Sequence, residues 1–309
     1  MHLSLVVPCY NEEDNIVPFY KKAVDSLNKY QFEIIFINDG SRDMTKRRLA
    51  ELYRKHKEKV SVINFSRNFG KEAAVLAGLK YAKGDYVTII DADLQQNPEV
   101  VVKMVEFLDG HSGYDAVAAY QEERIERKTI SWAKKTFYKL INKACDIDFF
   151  LNASDFRTIR RSVVQALLSM PEYFRFSKGL FSWVGFETYY MPYKVDERNA
   201  GESKWSVSKL IKYAIEGFIS FTTLPLKVAT YLGIAVSMTS IVYMIIVIIQ
   251  KLCFSIDIPG YPTIIVLILF LAGVQLMILG IIGEYLARIY IQGKNRPIYI
   301  VKDLWEADN

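Results

Sequence analysis

The chain has 309 residues, enough for one large domain with an appendage, and 51% of them are hydrophobic, slightly high for a soluble protein. Its net charge of +5 is modest and no nucleic-acid motif accompanies it, so nucleic acid is set aside and a basic surface facing anionic lipid is the better account. Three cysteines (Cys9, Cys145, Cys253) and three scattered histidines show no paired spacing, so neither a disulfide framework nor a zinc site is suggested.

Through roughly the first 120 residues, short apolar runs rich in β-branched residues alternate with helix-period segments. Strands are expected at Leu3–Val7, Phe32–Ile37, Val60–Phe65, Tyr86–Ile90 and Ala116–Ala119. Helices fall between them, near Glu12–Lys29, Asp43–His56, Lys71–Tyr81 and Pro98–Leu108. The alternation predicts an α/β fold: βαβ units in a mostly parallel sheet with helices on both faces. Ligands of such sheets bind beyond the C-terminal ends of the strands.

Two later segments are amphipathic. In Thr129–Ala144, Ile130, Ala133, Phe137, Leu140, Ile141 and Ala144 oppose Lys134, Lys135, Lys139 and Lys143; Trp205–Phe221 repeats the pattern. Lysine-bordered apolar faces with a tryptophan near one end predict helices lying in a membrane interface, with ordinary surface helices as the alternative. Two charge-free stretches follow, Val228–Gln250 with 23 residues and Thr263–Gly283 with 21. As helices they would measure roughly 35 and 32 Å, longer than the ~30 Å hydrocarbon core of a bilayer. Core helices of a soluble protein rarely run so far without a charge.

The first residues read as a strand followed by acidic residues, not as a signal peptide, so the N-terminal domain is expected in the cytosol. Lys209, Lys212 and Lys227 precede the first span, and Arg288, Lys294 and Arg296 follow the second. The connecting loop holds only Lys251 and Asp257, a bias that places both termini in the cytoplasm. The expected organisation is a catalytic domain over 1–204, an interface helix and linker over 205–227, two spans within 228–290, and a cytoplasmic tail over 291–309.

The strongest chemical signal is Asp91-Ala92-Asp93 at the end of the fourth strand. Two carboxylates one residue apart share a side in extended geometry and suit a hard divalent cation, Mg²⁺ or Mn²⁺. A lone D-x-D is common by chance. Strand one ends in Pro8-Cys9-Tyr10-Asn11-Glu12-Glu13 and strand two in Asn38-Asp39-Gly40-Ser41, groups able to stack on a base and hydrogen-bond a ribose. Asn38–Ser41 also reads as a plain turn and helix cap. Neither G-x-G-x-x-G after strand one nor a P-loop occurs, which removes most support for a dinucleotide-dependent oxidoreductase or a P-loop enzyme.

The runs V-P-C-Y-N-E-E, I-N-D-G-S, S-R-N-F-G-K and D-A-D-L-Q together resemble the family 2 glycosyltransferases with the GT-A fold. More narrowly, A-S-D-F-R, R-N-A-G-E-S-K-W-S and two C-terminal spans are similar to the polyprenyl-phosphate glycosyltransferases, GtrB-type glucosyltransferases and dolichol-phosphate mannose synthases among them. The resemblance covers essentially the whole chain. It implies that Pro8, Tyr10, Asn11, Glu12 and Asp39 hold the nucleoside and that Lys71 lies near the donor phosphates. It implies a metal on Asp91 and Asp93, with Ala92 beside the nucleotide and Gln95 as a further ligand. Asp155 and Arg157 are then expected near the sugar and acceptor phosphate, although Asp155 also reads as a cap of a helix over Phe156–Leu168. Arg198, Ser203 and Lys204 would form an acceptor loop, a solvated surface being the alternative for the two charges.

The resemblance implies an inverting single displacement in which Asp93, Asp155 and Arg198 take part. A phosphate acceptor, with a second pKa of ~6, is mostly dianionic at neutral pH and needs no strong base. Asp155 therefore orients groups in this reading, and Arg157, Arg198 and Lys204, with Arg124 and Lys128, relieve repulsion between two anionic substrates. The expected partners are a nucleotide sugar, best matched by UDP-glucose, a polyprenyl phosphate such as undecaprenyl phosphate, and the lipid of a bacterial inner membrane. A homo-oligomer, other polyprenyl lengths, and mannose, galactose, N-acetylglucosamine or an aminoarabinose derivative as the sugar stay open. A processive polysaccharide synthase would need more spans and a Q-x-x-R-W motif, which is absent; an inactive nucleotide-sugar-binding scaffold is disfavoured by the intact carboxylates.

Overall fold

The computed structural model describes residues 2–121, 153–194, 219, 221–254 and 260–308. Four strands form its parallel centre: β1 (His2–Cys9), β2 (Gln31–Asn38), β3 (Val60–Phe65) and β4 (Tyr86–Ile89), with β1 between β2 and β4 and β3 outside β2. They are buried on both faces, as near-continuous runs of Val, Ile, Leu and Phe require. Alternate residues go to opposite sides. Leu3, Leu5, Val7, Ile34 and Phe36 join one core with α1 (Ile16–Ser26) and α4 (Pro98–Gly110), whereas Val6, Ile35 and Ile37 join a second core with α3 (Lys71–Tyr81). The remaining helix of this half is α2 (Thr45–Lys55).

The α/β expectation holds, with a sheet more mixed than anticipated. Its order is β7-β5-β6-β4-β1-β2-β3-β8. β5 (Ala116–Gln121) and β7 (Thr188–Tyr193) are parallel to each other, and β6 (Ala153–Arg160) is inserted antiparallel between β4 and β5. β6 corrects the helix expected over Phe156–Leu168: α5 begins only at Arg161 and runs to Leu168. Pairing decides this. Phe156, Thr158 and Ile159 are fully buried between two strands, and the hydroxyls of Thr158 and Thr88 meet at 2.7 Å across the ladder. Asp155 is therefore a strand residue, not a helix cap.

A short helix, α6 (Ser177–Trp183), precedes β7. Two long helices follow, α7 (Leu224–Phe254) and α8 (Tyr261–Gly293), each longer than the charge-free run that announced it. Both are long and apolar enough to cross a membrane, and their apolar stretches are not buried inside the protein. After α8 the chain returns to the sheet as β8 (Val301–Trp305), antiparallel to β3, where Lys46 pairs with Asp303 at 2.6 Å and Tyr53 donates to the Glu306 carbonyl at 3.0 Å. The sequence pattern predicted neither β7 nor β8. Thr129–Ala144 lies outside the described residues, and so does Trp205–Phe221 apart from Ile219 and Phe221.

Candidate active site

The C-terminal ends of β1, β2 and β4 converge with the start of α3. At the end of β2, Asp39 is buried, and its two oxygens accept the backbone N–H groups of Phe69 and Gly70 at 2.6 and 2.9 Å. This carboxylate fastens the β3–α3 loop to the β2 end. Burial pushes its pKa up to about 6, against the lowering influence of those two N–H donors. Gly40 follows with φ 65°, and a side chain there would overlap the backbone of Arg67 and Asn68. No other residue fits the turn.

The β1 end is stitched to the β2–α2 loop. Asn11, at φ 53°, donates its N–H to Ser41 Oγ at 3.0 Å, and its side-chain oxygen accepts Arg42 N–H at 2.9 Å. The Glu12 N–H donates to Thr45 Oγ1 at 2.8 Å, and its carboxylate accepts Asn15 Nδ2 at 2.7 Å. Pro8 and Tyr10 are half-buried in the same rim.

Lys71, the first residue of α3, organises the centre. Its ammonium lies 2.7 and 2.9 Å from the two oxygens of Asp91 and 3.3 Å from Asp155 Oδ2. Residues from α3, the β4 end and β6 thus meet at one cation. Burial would lower the Lys71 pKa, but Asp91 and Asp155 outweigh it and hold the ammonium above its ordinary value. Burial would likewise raise Asp155, yet Lys71, Lys178 and Arg157 hold its carboxyl down at about 2. Arg157 is buried, with its guanidinium 3.7 Å from the centre of the Phe181 ring, and burial presses its pKa to about 10 despite Asp155. Arg157 Nε and Asp155 Oδ1 are both buried without a hydrogen-bond partner among the described residues.

Of the D-A-D-L-Q-Q residues, Asp91 and Asp93 are half-buried and Ala92 is buried between them. Gln95 reaches Asp93 only through its N–H, at 3.2 Å; the neighbouring Gln96 brackets Asp91, accepting its N–H at 2.8 Å and donating to Oδ2 at 3.1 Å. The described residues hold no group of three or more His, Cys, Asp or Glu side chains able to ligate a metal. Two carboxylates at a strand end nevertheless fit Mg²⁺ or Mn²⁺, which are held in phosphate-handling sites by one or two carboxylates while the ligand's own oxygens complete the shell. The structure therefore brings together Lys71, Asp91, Asp155 and Arg157. Sequence reasoning did not anticipate Gln96, Lys178, or Glu72, whose carboxylate accepts both the N–H and the hydroxyl of Ser177 and so ties α6 to α3. Arg124, Lys128, Arg198, Ser203 and Lys204 lie outside the described residues.

Residues 4–168 match the family model described as Glycosyl transferase family 2. The chain belongs to this family. Residues 224–289 of the glycosyltransferase match a second model, the GtrB C-terminal hairpin, which coincides with α7 and α8. An uncharacterized glycosyltransferase of Synechocystis is 43% identical over 99% of this chain and 96% of that protein. A bactoprenol glucosyl transferase of Shigella phage SfII is 44% identical over 98% of each. Among solved structures, glucosyl-3-phosphoglycerate synthase from Mycobacterium tuberculosis is similar with a TM-score of 0.45 and 18% identity, over 75% of this chain and 78% of that one.

Proposed function

We propose that this glycosyltransferase moves glucose from UDP-glucose to a polyprenyl phosphate, undecaprenyl phosphate in a bacterial inner membrane, with the catalytic domain and both termini on the cytoplasmic side. The observation that carries the reading is the end-to-end likeness, at 44% identity, to a bactoprenol glucosyl transferase, hairpin included. A catalytic domain joined to an apolar hairpin is what a soluble donor and a lipid-bound acceptor demand.

In the reaction, an oxygen of the acceptor phosphate attacks the anomeric carbon as the bond from that carbon to the nucleoside diphosphate breaks. The electron pair leaves with the diphosphate, and the configuration inverts. Asp91 and Asp93 would hold Mg²⁺ or Mn²⁺, which supplies positive charge to the leaving diphosphate when bound. Lys71 adds a second charge at the same place, being anchored on Asp91 at the N-terminus of α3. Pro8, Tyr10, Asn11, Glu12 and Asp39 form the nucleoside rim. A carboxyl held near 2 is a poor proton acceptor, which supports Asp155 as the group that orients Lys71 and the sugar while the acceptor arrives already ionised. The unpartnered Arg157 Nε supports a polar ligand beside β6, and the reading assigns contact with the acceptor phosphate to Arg198, Ser203 and Lys204.

The test uses membranes containing the protein, incubated with radiolabelled UDP-glucose, UDP-galactose, UDP-N-acetylglucosamine or GDP-mannose, with and without undecaprenyl phosphate. Label should enter the extracted lipid from UDP-glucose and depend on added acceptor. No lipid-phase label from any donor would overturn the reading, and label from another donor would overturn the choice of sugar.

A further inference from the structure

Trp183, at the end of α6, is 61% exposed, an unusual position for so large an apolar ring. Its neighbourhood says what covers it. Gly179 lies one helical turn earlier, on the same face of α6, and a methyl group there would overlap the Phe221 ring, so that ring rests on bare backbone. Phe221 also pairs with Phe176, at 6.1 Å between ring centres. The adjoining Thr222 carbonyl accepts the Tyr285 hydroxyl at 2.8 Å, joining the entry to α7 with the lower part of α8.

The segment that leads into α6 meets α8 as well. Gln292 accepts from Tyr173 N–H at 2.7 Å and donates to the Pro171 carbonyl at 3.0 Å, and Arg288 sits 5.1 Å from the centre of the Phe174 ring. Residues 171–183 are therefore the part of the catalytic domain turned toward the base of the hairpin. Met170, Val184 and Phe186 line its edge, each partly buried against the second core. Trp183 lies ~6 Å along the helix from Gly179, the residue on which Phe221 rests, and Phe221 stands three residues before the apolar run that starts at Leu224.

We propose that Trp183 inserts into the interfacial layer of the phospholipid bilayer, its ring at the acyl boundary and its indole N–H among the headgroups, and so seats the catalytic domain on the membrane at a point separate from the hairpin. The indole ring suits that layer because it joins a large apolar surface to one polar edge. The proposal rests on reading α7 and α8 as membrane spans, and its test separates the two.

Full-length protein with Trp132, Trp205 and Trp305 replaced by Phe keeps Trp183 as its sole tryptophan. It is placed in nanodiscs of phosphatidylethanolamine and phosphatidylglycerol, with or without bromine on the acyl carbons nearest the headgroup. The expected result is blue-shifted emission, quenching by the brominated lipid, and little quenching by aqueous iodide. Quenching by iodide without quenching by bromine would place Trp183 in water and overturn the proposal. Resistance to both would mean that protein covers it, which overturns the proposal equally. As the control, Tyr243→Trp in a background with all four native tryptophans replaced reports on α7: if that probe is not quenched by bromine, the spanning reading fails instead. If the replaced background does not fold, a spin label at Trp183→Cys, with Cys9, Cys145 and Cys253 changed to Ser, gives the same contrast through oxygen and nickel-chelate accessibility.

Discussion

Replacing Lys71 by Met removes the ammonium that lies 2.7 Å from Asp91 and 3.3 Å from Asp155, and leaves two carboxylates facing each other without it. Breaking a fully buried ion pair in this way costs ~3–5 kcal/mol. Here the side chains of Lys71, Asp91 and Asp155 are 36%, 30% and 23% exposed, so solvent screening reduces the expected loss to about 1–2 kcal/mol. In a domain of this size that lowers the melting temperature by about 2–8 °C. The sharper test is a double-mutant cycle. Asp155→Asn removes the like charge that Lys71 was holding, so Lys71→Met should cost less in that background, with a coupling of about 0.5 kcal/mol or more. Thermal unfolding in detergent, followed by near-ultraviolet circular dichroism on wild type, both single variants and the double variant, measures it. Turnover should drop ~10²–10³-fold in Lys71→Met, because the charge proposed to face the leaving diphosphate is lost. Additivity of the two stability changes within ~0.3 kcal/mol would refute the shared ion pair.

Asp91→Asn and Asp93→Asn should each cut turnover at least ~10²-fold without unfolding the protein, and EDTA should reproduce the loss until Mg²⁺ or Mn²⁺ is restored; full activity in metal-free buffer would exclude the assignment. Asp39 makes a pH prediction. Its pKa is about 6 in the folded state against 3.8 in an ordinary carboxyl, so folding favours the protonated form; its contribution to stability is complete below 3.8 and is lost as pH rises through about 6. Melting curves across that window should show a slope that Asp39→Asn abolishes, and an unchanged slope would contradict it. Arg198→Ala and Lys204→Ala should weaken use of the lipid acceptor on the order of tenfold to a hundredfold, as expected for a charge-assisted phosphate contact, while calorimetric UDP binding stays intact. Loss of UDP binding with normal acceptor dependence would assign that loop to the donor instead.

What the sequence disclosed follows the range of the forces involved. Val60–Phe65 and Lys71–Tyr81 begin and end where periodicity placed them, because a buried run of β-branched residues and a small-residue helix both carry strong local signals. β6 was hidden: D-F-R-T-I-R runs directly into a helix, and only its partners on either side make it a strand. β7 carries Pro192, which demotes a strand reading, and β8 is five residues of weak alternation after a long apolar helix. At the candidate site, the placement of Asp91 and Asp93 side by side was legible because both follow one strand end. The pairing of Lys71 with Asp155 spans two distant elements and had no local signature. The Gln96 contacts with Asp91 had no signature either, since the sequence does not tell which of two adjacent glutamines turns toward Asp91.

The sheet topology explains how such a site can meet a lipid phosphate. β7 and β8 occupy opposite edges of the sheet, and the hairpin lies between them in the chain. Eight strands at about 4.8 Å spacing put those edges ~34 Å apart. A domain held by one flexible tether samples many heights and tilts above the membrane. This one is returned to its far edge by Tyr299 stacked on Phe65 and by the Ser66 N–H donating to the Ile300 carbonyl at 3.0 Å, in addition to the Gln292 contacts with Pro171 and Tyr173 between α5 and α6. Each attachment removes orientations that the others would permit, and with α7 and α8 in a bilayer the remaining ones would raise the effective concentration of the site at headgroup depth. Under the proposed function, an acceptor whose phosphate stays at that depth would need only to diffuse laterally to reach Asp91, Lys71 and Asp155. The C-terminal strand, the least conspicuous element in the sequence, would belong to that positioning as much as α7 and α8 do.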